Sequence, residues 1–296
     1  MKYIITYLSF ILIAGFFVAG CSEVKKDLPV QPTSTSVVHG PGFAQFGNPN
    51  FHGNYLKKNN WNIRQCQDCH SGYNAGGTGV SCRGCHNQTA GPEACNTCHG
   101  DFTNPNFIAP PEDTHDSTKT SMRGVGAHWS HLYTNELSNP VACNECHTVP
   151  NSVWDAGHID GQYATVKLGA FTTSKSPNAL YNPSDNPTCA NTYCHGNFSF
   201  SKDSAAVTDQ YIFSGNQISG NNFTPTWTDL IISSASSQEK KCGSCHDMPP
   251  KGHLGTGVFT IASCGGSGCH FGVVDDAGNI IDKNRHVNGA VNVHGK

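Results

Sequence analysis

Charge is scarce in this chain. Only 13% of its 296 residues are Asp, Glu, Lys or Arg, against about 25% in ordinary globular domains. The formal balance is −3, and loss of Lys2 with a leader makes it −4. That excludes a basic nucleic-acid-binding surface, which depends on clustered Lys and Arg. Leucine is scarce as well: ten in all, two of them, Leu8 and Leu12, within the first 20 residues. There are three methionines, and only Met122 and Met248 lie beyond the start. After residue 20 no apolar stretch is long enough to span a bilayer. No Ser/His/Asp arrangement and no phosphate loop stands out. Gly265-Gly266-Ser267-Gly268 lies inside a cysteine motif and is not a nucleotide loop. Breakers are plentiful, with 32 Gly and 16 Pro. A chain this poor in Leu and this rich in breakers does not build a conventional core of its size.

What the chain has is cysteine followed by histidine. Five motifs read Cys-x-x-Cys-His: Cys66, Cys69, His70; Cys82, Cys85, His86; Cys95, Cys98, His99; Cys143, Cys146, His147; and Cys242, Cys245, His246. Two have a four-residue spacer: Cys189, Cys194, His195 and Cys264, Cys269, His270. Together they use 14 of the 15 cysteines. A c-type haem needs two thiols for its vinyl groups and an adjacent imidazole for its iron, which gives this spacing a mechanical reason. A zinc ribbon does not require His after each second Cys. A redox dithiol occurs once rather than seven times, and a disulfide framework would not place the histidines. The motifs therefore predict seven covalently attached haem c groups with iron. The haems also supply the apolar bulk that the sequence lacks. The mature chain, 296 less 20, is 276 residues, or 39 per motif. Folding is then expected to depend on haem attachment, as small metallodomains depend on metal.

The fifteenth cysteine, Cys21, follows Met1-Lys2-Tyr3, a mostly apolar run Ile4–Val18, and Ala19-Gly20. This pattern reads as a secretory signal over 1–20; an uncleaved membrane helix is the alternative. Val-Ala-Gly-Cys resembles a bacterial lipobox, so Cys21 is the expected lipidation site, and a lipid holds a protein on a membrane without crossing it. Ser22, rather than Asp, after the cysteine points to the outer membrane. Residues 21–38 are polar and Pro/Ser/Thr-rich and read as a flexible tether.

The motifs begin at 66, 82, 95, 143, 189, 242 and 264. This divides the chain into an N-terminal trihaem region (39–110), a central dihaem region (111–200), a haem-free Ser/Asn/aromatic segment (201–240) and a C-terminal dihaem region (241–296). The expected fold is mostly irregular, with short helices and few short strands, wrapped around closely packed haems. Gly72–Ser81, with Gly76-Gly77-Thr78-Gly79, reads as a loop. Ala127–Leu137 reads as a few helical turns. Asn197–Gln238 holds aromatic residues among Ser, Asn and Thr and reads as a loop with some β-structure covering haem faces, or else as a docking surface. A weak repeat is present: Gly157-His158-Ile159-Asp160-Gly161 trails the fourth motif and Arg285-His286-Val287-Asn288-Gly289 trails the seventh.

Sixteen histidines are present, seven of them in motifs. The nine others can close the sixth position of seven irons. The expected distal set is His39, His52, His128, His131, His158, His253 and His286. His115, in a charged loop, and His294, near the end, are left out. His128 and His131, at i and i+3, share a helical face and suit two neighbouring haems. Ligation by two histidines would keep the potentials low, since a Met ligand raises them.

Several strings resemble the outer-membrane multihaem c-type cytochromes of dissimilatory metal-reducing bacteria, which mix the two spacers. They include Phe51-His52-Gly53, Ala94-Cys95-Asn96-Thr97-Cys98-His99-Gly100, Gly126-Ala127-His128-Trp129-Ser130-His131-Leu132, Thr192-Tyr193-Cys194-His195-Gly196, Cys245-His246-Asp247-Met248-Pro249-Pro250 and His286-Val287-Asn288-Gly289. The resemblance covers about 39–296, and its most specific part is the four-residue spacer with a downstream His-x-x-Gly. It implies an electron-carrying lipoprotein of the outer membrane, at the cell surface or the periplasmic face. Its partners would be other redox proteins, other multihaem cytochromes or copies of itself, with extracellular acceptors such as metal oxides and no nucleic acid. Two rival readings are a polymerised cytochrome filament and a reductase of a small nitrogen or sulfur compound. The reductase needs an iron with an open position; no Cys-x-x-Cys-Lys variant is present.

Overall fold

The computed structural model describes residues 39–70, 80–100, 108, 113, 117–133, 136–160, 164–230, 238–255, 260–266 and 269–292. The expected leader, Cys21 and tether lie outside these residues, as do His115, His294 and most of the Gly72–Ser81 loop. Among the described residues no helix is long and apolar enough to cross a membrane.

Contacts divide the chain into two units, Met1–Asn62 and Ile63–Lys296. In the first, turns over 41–50 lead into helix α1 (His52–Lys58), which buries none of its side chains. Lys57 and Lys58 in its last turn suit the negative end of the helix. Asn60 and Trp61 take positive φ values of 53° and 57° and stop it. Phe43 is the local anchor: His39 stacks on it at 4.1 Å, and Tyr55 meets it edge-on at 6.0 Å.

The second unit is mostly irregular, as the density of Gly and Pro predicts. Its described helices are α2 (Cys95–His99), α3 (His128–Leu132), α4 (Ala170–Thr173), α5 (Gln238–Cys245) and α6 (Ile261–Gly266). None exceeds eight residues, below the roughly 12–15 at which an isolated helix becomes even marginal in water. Each therefore relies on tertiary contacts. Among the described residues the strands form two antiparallel pairs. Strand β1 (Leu180–Asn182) pairs with β2 (Thr188–Ala190), placing Tyr181 opposite Cys189. Strand β3 (Ser199–Ser201) pairs with β4 (Gln217–Ser219), placing Phe200 opposite Ile218. The second pair lies in the aromatic segment where some β-structure was expected.

The buried hydrophobic cluster among the described residues is small: Ile212, Phe213 and Ile218, with Ala205 against it. It sits beside the β3–β4 pair, and Leu254 N–H closes it by donating to the Ile212 carbonyl at 2.6 Å. A second aromatic patch joins the fifth motif to its surroundings. Tyr193 is buried and meets Phe171 edge-on at 5.3 Å and Phe198 at 6.4 Å. Its hydroxyl accepts from Gly289 N–H at 2.7 Å, tying that motif to the C-terminal His-x-x-Gly string.

Candidate functional site: paired imidazoles beside cysteine motifs

Each short motif is a single tight turn. The histidine N–H donates to the carbonyl of the first cysteine: His70 to Cys66, His86 to Cys82 and His147 to Cys143 at 2.9 Å, and His246 to Cys242 at 3.4 Å. The third motif is α2 itself. An i to i+4 closure sets a thiol and the imidazole on one side of the turn. The wide motifs reach the same end by different routes. His270 N–H still bonds the first cysteine's carbonyl, at 3.3 Å to Cys264. In the other, strand β2 carries Cys189, and a separate turn, Tyr193–His195, carries the rest.

No disulfide joins any of the 14 motif cysteines. Burial pushes the Cys194 thiol up to about 12 and those of Cys189 and Cys245 up to about 11, with neighbouring thiols adding to each. Reactive dithiols and thiolate metal ligands need the opposite shift. Among the described residues no three His, Cys, Asp or Glu side chains gather as a metal cage.

The histidines instead meet two at a time. His99 faces His158 with ring centres 5.9 Å apart, His147 faces His128 at 6.1 Å, His195 faces His131 at 6.1 Å, and His270 faces His253 at 6.3 Å. Every pair joins one motif histidine to one non-motif histidine from the expected distal set. Metal–imidazole bonds of about 2.0 Å on opposite sides of one ion put the two ring centres roughly 6 Å apart. Burial holds the His286 ring below its ordinary value, against the pull of its Leu137 bond and with a smaller push from His246. His39 and His52 belong to the N-terminal unit, and His70 and His86 to the other.

A second regularity was not foreseen from sequence. Among the described residues, ten histidines use Nδ1 to bond a backbone carbonyl. His52 bonds Phe43, His70 Val80, His128 Val125, His131 Ala127 and His147 Thr165, at 2.8–3.3 Å. His158 bonds Val153, His246 Asp247, His253 Leu254, His270 Asn292 and His286 Leu137, at 2.5–3.2 Å. A carbonyl only accepts, so Nδ1 carries the proton and Nε2 keeps a lone pair. Metal-binding histidines are oriented in this way. Burial, then neighbouring histidines, hold His128 down to about 4, against the pull of its Val125 bond. Burial and His131 hold His195 down to about 4. Both rings stay neutral, the form that ligates metal. For His128 and His131 the signal was available, because carbonyls at i−3 and i−4 are within reach of a side chain at the start of a helix.

Trp227 is one of the aromatic residues of the Asn197–Gln238 segment. It meets His128 edge-on at 4.8 Å and tilts over His131 at 5.6 Å, so it touches two imidazoles of different pairs. Its indole N–H donates to the Arg123 carbonyl at 2.8 Å, and its backbone N–H to Pro187 at 2.7 Å. Gly126 gives it room: a Cβ there would lie 2.0 Å from the indole nitrogen.

Neighbouring motifs are also close to one another. The Cys245 thiol donates to the Cys194 carbonyl at 3.8 Å. The Cys146 thiol raises both Cys189 and Cys194, and Cys82 raises Cys66, in each case after burial. Comparison with known proteins gave no match: no family model, no curated relative and no solved structure is similar to the chain.

Proposed function

We propose that the chain is a heptahaem c-type cytochrome that passes electrons along a row of closely spaced haems, as a lipoprotein of the outer membrane, toward other redox proteins and extracellular acceptors such as metal oxides. The observation that carries this reading is the set of four imidazole pairs, each uniting a motif histidine with a distant one at the spacing of two axial ligands. Bound haem supplies the one-electron chemistry. The chain's own residues do the rest. The 14 thiols would tether the haems, and the motif histidines together with the distal set would ligate their irons. The Nδ1–carbonyl bonds fix ring orientation, and burial keeps His128 and His195 neutral and away from water. The close approach of the fourth, fifth and sixth motifs favours short electron steps. The small hydrophobic cluster agrees with a chain wrapped around haems rather than around its own side chains.

Electron paramagnetic resonance of the oxidised holoprotein tests the role. Two axial histidines at each iron predict low-spin signals only. A stable high-spin signal that integrates to one iron per chain would favour the reductase reading instead, since catalysis needs an open position.

A further inference from the structure

The four imidazole pairs differ in angle. The rings of His128 and His147 lie 22° from parallel. Those of His99 and His158, and of His253 and His270, are tilted by 35°. The rings of His131 and His195 cross at 71°. The flattest pair and the crossed pair are neighbours, because His128 and His131 both stand on α3. Each of these two rings has an Nδ1 bond to a backbone carbonyl, Val125 for His128 and Ala127 for His131. One hydrogen bond fixes a point on a ring but leaves the ring plane free to swing about it. A second contact is needed to set the plane.

The same side chain supplies that contact to both. Trp227 meets His128 edge-on, with planes at 90° and centres 4.8 Å apart, and lies over His131 at 32° and 5.6 Å. Flat rings favour edge-on and offset approaches, so each imidazole has a preferred plane against the indole. The indole is itself held from two sides. Its ring N–H donates to the Arg123 carbonyl at 2.8 Å, ahead of α3. Gly126, with φ at +44°, makes room for it, and a Cβ there would run into the indole nitrogen. On the other side, Trp227 N–H donates to the Pro187 carbonyl at 2.7 Å, and Cys189 N–H donates to the Pro225 carbonyl at 3.2 Å. Thr226 bridges to Thr188 between them. Trp227 is thus paired to β2, the strand that carries the first cysteine of the fifth motif.

Resting on the haem reading, we infer that Trp227 is a positioning residue shared by two haems, setting the His128 plane nearly parallel to His147 and the His131 plane across His195. The angle matters because an imidazole donates π density into the iron d orbital that is oriented perpendicular to its ring. Parallel rings feed one orbital and separate it from its partner. Crossed rings feed both and leave them nearly equal. The surroundings of the axial ligands are among the levers by which a protein tunes haem iron. One indole therefore makes the haems of the fourth and fifth motifs electronically different, although their ligands are the same.

The test is electron paramagnetic resonance of the oxidised, full-length holoprotein. A crossed pair gives a highly anisotropic low-spin signal dominated by one low-field feature, and a near-parallel pair gives a rhombic signal with three resolved features. The wild type should show both. Trp227→Leu keeps apolar bulk but has neither a flat face nor an N–H. It is expected to lose one iron's worth of the highly anisotropic signal and to shift one rhombic component, with every iron still low-spin. Trp227→Phe, which restores a flat ring, should recover most of both. A Trp227→Leu protein that carries seven haems and keeps the wild-type spectrum would overturn the proposal, because the residue then only fills space. A change at one iron alone would overturn the shared role. Proton NMR of the reduced, unaltered holoprotein needs no variant to mature. Indole protons of Trp227 should contact ring protons of both His128 and His131, and contacts to one of them alone would refute the proposal. Fewer than seven covalent haems in the wild type would instead defeat the underlying haem reading, so the two failures are distinguishable.

Discussion

Chain produced without haem attachment is expected to be unfolded. The three side chains of the buried cluster, Ile212, Phe213 and Ile218, contribute about 1.5–3 kcal/mol each on burial. Fixing a backbone costs about 1–2 kcal/mol per residue, and the second unit runs from Ile63 to Lys296. Among the described residues no helix in it exceeds eight residues, and both sheets have two strands, below what is stable alone in water. On the proposed reading the missing apolar surface comes from seven porphyrins. Circular dichroism and limited proteolysis of chain made without the cytochrome maturation machinery should show coil and rapid digestion, whereas the holoprotein resists. A protease-resistant apo form with a cooperative melting transition would contradict the account of the core.

Gly196→Ala is expected to destabilise the protein strongly for a single added methyl group. Gly196 follows the fifth motif with φ at +88°, and a Cβ there would lie 2.0 Å from the Cys245 carbonyl oxygen. Left-handed backbone costs a non-glycine residue about 1–2 kcal/mol, and overpacking adds about 1–3 kcal/mol. The neighbour is main chain of the sixth motif, and it is itself held, because Asn221 N–H donates to that same carbonyl at 2.9 Å. The clash therefore presses two cysteine motifs apart. Denaturant titration of the holoprotein should show a loss of about 2–5 kcal/mol, the sum of these two contributions. Gly215→Ala is the control, since nothing lies within 4 Å of a Cβ placed there; its change should stay within about 0.5 kcal/mol. Equal effects of the two substitutions would mean that the motif junction is not tightly packed.

Much of the architecture was legible in the residues. Breaker content and scarce leucine pointed to an irregular fold with short elements, and β3 and β4 do lie in the aromatic segment. That segment spends Ile212, Phe213 and Ile218 on one another, and it also contributes Trp227 against the histidines. Helix α3 is shorter than the Ala127–Leu137 stretch. It ends at Leu132, and Val141 returns to donate to the His131 carbonyl at 2.8 Å. The shared face of His128 and His131 was readable from their spacing, and the two rings do turn to different motif histidines.

The partners themselves were not readable. Pairing His99 with His158 across 59 residues depends on how the intervening loops close, and nothing local encodes that. The Nδ1–carbonyl bonds were hidden for the same reason. Only those made within a turn, such as His131 to Ala127, follow from sequence distance. His286 to Leu137, 149 residues apart, does not.

Intact mass of the purified protein, combined with haem quantitation, tests the central claim most directly. Seven covalent haems per chain are predicted, one at each cysteine motif, the wide motifs Cys189–His195 and Cys264–His270 included. A mass that carries five haems, with both wide motifs retaining free thiols, would contradict it.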